Sequence, residues 1–166
     1  MRLRNALVAA VAGLTLGLSG PATAEERNKA LAFSVGAFDM VQRSDDGLEA
    51  RLEYRSDSPW WLKPFGGITA TTDAAVHLYM GVYADLVIGE HFYIQPSFAP
   101  GAFFEGNGKV LGNILEFRSQ LEIGYRFKDD SRLGISLNHI SNAGLGTSNP
   151  GSESLVLTYS VPMKLF

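Results

Sequence analysis

Three residues, His139, Ser141 and Glu153, carry the types and the spacing that chemistry at a carbonyl requires. His139 and Ser141 are two residues apart and in phase with Leu133, Ile135 and Leu137. On an extended strand such residues point to the same side. After a connection rich in Gly, Ser and Asn, from Ala143 to Ser152, Glu153 opens a second alternating run, in phase with Leu155, Leu157, Tyr159, Val161, Met163 and Leu165. Paired as an antiparallel hairpin, the two runs bring Glu153 to the end that holds His139 and Ser141. A nucleophile, a base and a carboxylate then meet on an otherwise apolar face. That set suits ester hydrolysis. A serine hydroxyl attacks once an imidazole takes its proton, and an acidic partner fixes the imidazole's tautomer and steadies its positive charge.

The elements that must position this set are strands. From residue 31 onward the pattern has period two and almost no helical period. Leu31, Phe33, Val35 and Ala37 alternate in a first run, and Leu48, Ala50, Leu52 and Tyr54 in a second. A third spans Leu62 to Thr71, interrupted by glycines and Pro64. The fourth is Val76 to Leu86, and the fifth runs from Phe92 to Phe104, where Pro96 and Pro100 predict a bend or a weakly paired stretch. The sixth sets Leu115, Phe117, Leu121, Ile123, Tyr125 and Phe127 against Glu116, Arg118, Gln120, Glu122 and Arg126. With the two runs of the candidate site the count reaches eight. Connections alternate between tight turns, such as Gly89-Glu90 and Lys128-Asp129-Asp130, and longer segments, Glu105 to Gly112 and Ala143 to Ser152. Together these features predict an all-β fold, an eight-stranded antiparallel up-and-down barrel.

Alternation alone does not separate a membrane barrel from a soluble one. The chain has 166 residues, 46% hydrophobic, a net charge of −3 and no cysteine. Met1-Arg2-Leu3-Arg4 is basic, Ala6 to Leu18 is apolar, and Ala22-Thr23-Ala24 has the form of a cleavage site. Residues 1–24 therefore read as a secretory signal and 25–166 as one exported barrel domain. Aromatic residues near strand ends, Trp60, Trp61, Phe103, Phe104, Tyr125 and Phe127, and a terminal Phe166 add to the case for the outer membrane. An even number of strands puts both termini in the periplasm, so the loop after Ser141 is extracellular and the candidate triad faces the outer leaflet. No basic cluster points to nucleic acid.

The other titratable residues fit structural roles. His77 falls on the opposite face of its run, with Tyr79 and Asp85, where a hydrogen-bond network inside the barrel is expected; His91 falls at a periplasmic turn. Glu49, Arg51, Glu53, Glu116, Arg118, Glu122 and Arg126 are expected to form an interior salt-bridge network, because so small a barrel has little free lumen.

The run Asn138-His139-Ile140-Ser141-Asn142-Ala143-Gly144, followed by Asn149 and Glu153, resembles the PagL-type lipid A 3-O-deacylases, which are outer-membrane barrel enzymes. The resemblance covers mainly the last two strands and their loop. It implies hydrolysis of the (hydroxy)acyl chain at the 3-position of lipid A in lipopolysaccharide, without a cofactor. It further implies Ser141 as nucleophile, His139 as general base and then acid, and Glu153 as the residue that orients His139. The Gly144 N–H and the Asn149 side chain would be oxyanion donors, and Asn142 would support the site. Acyl chains of outer-membrane lipid would lie against Leu133, Ile135, Leu137, Leu155 and Leu157. Whether the barrel works alone or as a homodimer stays open. Two other readings also stay open: a structural or adhesive barrel in which His139 and Ser141 are incidental, and a phospholipase or acyltransferase on the same architecture.

Overall fold

The structure, a computed structural model, describes residues 29–42, 47–58 and 60–165. The expected signal and the terminal Phe166 lie outside them. Nine strands follow in order: β1 (Ala30–Ala37), β2 (Leu48–Arg55), β3 (Leu62–Thr71), β4 (Val76–Ala84), β5 (Leu86–Ile88), β6 (Phe92–Phe104), β7 (Leu115–Arg126), β8 (Arg132–Ser141) and β9 (Ser152–Pro162). All neighbouring pairs are antiparallel. β1 pairs with β9 and β4 with β6, which closes the sheet into a barrel.

The barrel has eight staves because β4 and β5 are two pieces of one. Both pair with β6 in a single register, from Val76 opposite Phe104 to Ile88 opposite Phe92. The break falls at Asp85, where the facing stretch of β6 carries Pro96, and a second gap in this ladder falls opposite Ala99 and Pro100. Proline has no N–H to give to a ladder. The expected weakly paired stretch is therefore confined to one side of β6; on the other side β6 pairs without interruption from Phe92 to Ala102 with β7.

Outward-facing residues are mostly apolar, as with Leu121, Ile123, Leu133, Ile135 and Leu137, and all of these are exposed. The inward residues are buried, and many of them are charged. Arg55 bonds Glu53 at 2.9 Å and Glu122 at 2.8 Å, Arg118 bonds Glu53 at 2.7 Å, and Arg51 pairs with Glu49. The Arg118 guanidinium also lies 4.3 Å from the centre of the Tyr79 ring. Buried charges persist only when paired and hydrogen-bonded, which this network provides. Two expected members stand apart from it: Arg126 is 3.9 Å from Asp130 at the periplasmic rim, and the buried Glu116 has the Asn142 side chain as its neighbour and forms no ion pair with an arginine among the described residues. Arg55 takes their place at the centre.

Further expectations are corrected by the inside of the barrel. His77 is buried, but neither ring nitrogen has a hydrogen-bond partner among the described residues; the ring packs on Tyr79 at 4.9 Å and Phe103 at 6.0 Å. Asp85 instead makes a two-pronged bond to Arg132, at 2.7 and 2.9 Å. Phe103 is no interface aromatic. It points inward and joins Phe38, Ala75, Leu111 and Ile140 in an apolar cluster that closes the end of the barrel bearing the longer loops. The alternation of β9 also stops short, at Pro162, after which Met163–Leu165 make one turn of 3-10 helix. Lys164 in that turn reaches Asp130 across the periplasmic rim.

Candidate active site

The β8–β9 ladder places Glu153 directly opposite His139. Both sit on the outward row, among residues that are mostly apolar. His139 Nδ1–H donates to Glu153 Oε1 at 2.9 Å. A carboxylate only accepts, so the shared proton belongs to Nδ1, and in the neutral imidazole Nε2 is left as the acceptor. That nitrogen is the one a serine hydroxyl would use. Ser141 shares the outward row, one step nearer the long loops, and is half-buried. Its hydroxyl makes no hydrogen bond to His139 in this structure; such bonds shorten when substrate binds.

The loop from β8 to β9 is shaped by Asn142, which is wholly buried. Its Nδ2 donates to Leu111 O and Ser148 O, each at 2.8 Å, and its Oδ1 accepts the Gly144 N–H at 3.0 Å. Its own N–H donates to Asn149 Oδ1 at 3.0 Å. Asn149 is exposed, and with its oxygen so engaged its amide Nδ2 remains a donor. The two sequence-predicted oxyanion donors thus differ: the Gly144 N–H is already used by Asn142, while Asn149 carries a donor on the open side of the loop.

Two residues that the sequence did not single out adjoin the imidazole. Gly151 has a left-handed backbone (φ +65°), and a Cβ there would lie 2.9 Å from His139 Cε1. Only glycine lets the loop approach the ring so closely in that conformation. Ser119 on β7 is the cross-strand partner of His139 on the other side, and is exposed on the same face. With Leu121, Leu137, His139 and Glu153 it lines a shallow groove on the outer wall.

Other loops clamp this corner. The Met40 N–H donates to Glu153 O at 2.9 Å, Gln42 Nε2 donates to Pro150 O, and Lys109 bonds both Asp39, at 2.6 Å, and Gln42, at 3.0 Å. Among the described residues no three His, Asp or Glu side chains converge as metal ligands would.

A closed eight-stranded barrel, apolar outside and filled with paired charges inside, with an imidazole–carboxylate pair on its outer wall, is an outer-membrane β-barrel enzyme. Residues 46–162 match the family described as lipid A 3-O-deacylase (PagL), and the chain belongs to that family of outer-membrane deacylases. It is 28% identical over 135 residues to the lipid A deacylase PagL of Pseudomonas aeruginosa, covering 68% of this chain and 75% of that one. It is 31% identical over 74 residues to the lipid A deacylase PagL of Bordetella bronchiseptica, covering 43% of this chain and 42% of that one, so this match spans less than half of the Bordetella protein. A crystal structure of the outer membrane enzyme PagL superposes with a TM-score of 0.67 at 25% identity, over 80% of this chain and 99% of that one.

Proposed function

We propose that this protein hydrolyses the ester that holds the acyl chain at the 3-position of lipid A, with Ser141, His139 and Glu153 as a triad facing the outer leaflet. The observation that carries this reading is the cross-strand hydrogen bond from His139 Nδ1 to Glu153 Oε1 on the outward row. An ionisable pair in contact with lipid is expensive unless it serves a reaction.

In this reading lipid A lies against the apolar rows of β7, β8 and β9, with its ester at the level of Ser141. Ser141 Oγ attacks the carbonyl carbon while its proton passes to His139 Nε2. The imidazolium that forms is steadied by Glu153. The oxyanion is held by Asn149 Nδ2, in a loop kept in shape by Asn142 and Gly144. Collapse of the tetrahedral intermediate breaks the bond to the sugar oxygen, which takes the proton from Nε2. Water then adds to the acyl-enzyme by the same route, releases the fatty acid and restores Ser141. The chemistry uses only side chains of this protein and water.

The test is a lipid A mass spectrum from a Gram-negative host expressing the protein, beside the same host expressing Ser141→Ala. Loss of one acyl mass with the wild type alone is expected. Identical spectra, with both barrels present in the outer membrane, would refute the reading.

A further inference from the structure

The outward row of β7 reads Leu115, Phe117, Ser119, Leu121, Ile123 and Tyr125. Ser119 is its one polar member. It sits at the head of the groove that also contains His139, and apolar residues follow below it on both strands. A hydroxyl turned toward hydrocarbon gains nothing unless a partner meets it there. Within the site that partner is not required to be His139, since Nδ1 is held by Glu153 and the proposed triad reserves Nε2 for Ser141.

The register says what passes this point. Ser141 is opposite Phe117 and His139 opposite Ser119, so Ser119 and Ser141 are diagonal neighbours across β7 and β8. Diagonal neighbours lie about 7–8 Å apart, with their Cβ atoms somewhat closer. An ester carbonyl poised over Ser141 sends its acyl chain away from the loops, toward Leu121 and Leu137. The chain's third carbon, two bonds below the carbonyl carbon, then crosses the level of Ser119. An attack distance, this short stretch of chain, its C–O bond and one hydrogen bond cover that span along a bent path.

We propose that Ser119 Oγ hydrogen-bonds a hydroxyl on the third carbon of the scissile chain, and so selects 3-hydroxyacyl esters over unsubstituted ones. This rests on the deacylase reading above. Ser119 takes no part in bond making; it binds the leaving acyl group.

The full-length protein, folded in detergent micelles, is assayed on two glucosamine esters, one with a 3-hydroxyacyl chain at O3 and one with the plain acyl chain of equal length. Wild type is expected to favour the hydroxyacyl ester about tenfold, as one neutral hydrogen bond allows. Ser119→Ala should lower the ratio of the two kcat/KM values about tenfold, and Ser119→Thr, which keeps the hydroxyl, should preserve it. An equal loss on both esters would overturn the proposal and make Ser119 a residue that positions His139. An unchanged ratio with Ser119→Ala would overturn it as well. Wild-type protein that cleaves neither ester would overturn the deacylase reading, and this inference with it, a pattern distinct from the other two.

Discussion

His139 and Glu153 belong to different strands yet face each other in one rung of the β8–β9 ladder, with Nδ1 and Oε1 2.9 Å apart. The rung fixes the ring's tautomer before any substrate arrives. Glu153→Ala is therefore expected to lower turnover about 10²–10³-fold, and Ser141→Ala about 10⁴-fold or more, since a misoriented imidazole keeps some basicity and an absent nucleophile leaves none. Release of fatty acid in micelles measures both. Glu153→Ala with wild-type turnover would sink the triad assignment.

Asn149 has an acceptor and a donor with separate partners. Asn149→Asp keeps the oxygen that receives the Asn142 N–H and removes the amide donor. If that donor holds the oxyanion, kcat falls about 10²-fold, the usual effect of losing one such group, while KM stays close to wild type. A kcat within twofold of wild type would assign the oxyanion elsewhere.

Gly151 touches the imidazole through space that a methyl group would fill. Gly151→Ala should leave the barrel folded, as judged by its heat-modifiable migration in gel electrophoresis. It should lower kcat about 10- to 100-fold by displacing His139, given the steep dependence of rate on geometry. An unaltered kcat would mean that the loop yields instead of the ring.

Lys109 joins two loops through Asp39, at 2.6 Å, and both side chains are buried. Breaking a buried pair from one side costs about 3 kcal/mol. Lys109→Ala should lower the denaturation midpoint and expose the outer loops to protease. Because the same loop donates the Met40 N–H to Glu153 O, turnover should fall as well. Loops as resistant as wild type would contradict this clamp.

At the periplasmic turn after β7, Ser131 donates its hydroxyl and its N–H to Asp129, and these bonds hold that carboxyl below the ordinary range. A group whose folded pKa is depressed stabilises the fold above its unfolded value and ceases to do so as pH falls through the folded one. NMR titration of Asp129 should thus give a midpoint below that of Ser131→Ala. Coincident midpoints would remove the role assigned to Ser131.

The strands were legible because period two is visible in any alternating stretch, and the His139–Glu153 rung followed from the phase of two neighbouring runs joined by one loop. Other features depend on partners distant in sequence. The interruption at Asp85 tracks Pro96 on the facing strand. Ser119 gained meaning only from the register of β7 against β8, and Gly151 only from the path of a loop. Phe103 was misplaced because aromatic residues at strand ends serve either face, and its parity along β6 was a better guide than its type. His77 faces inward as its phase indicated, but packing against rings has replaced the expected hydrogen bonds.

The interior, closed by paired charges and by the apolar cluster around Phe38 and Leu111, has a consequence for kinetics. With the interior so filled among the described residues, a substrate of the proposed site on the outer wall arrives through the leaflet, by two-dimensional diffusion. The relevant concentration is a surface density, in molecules per unit area, and the bulk phase does not set it. Saturation should then depend on the mole fraction of substrate in the surrounding leaflet and be indifferent to the total amount of lipid in suspension.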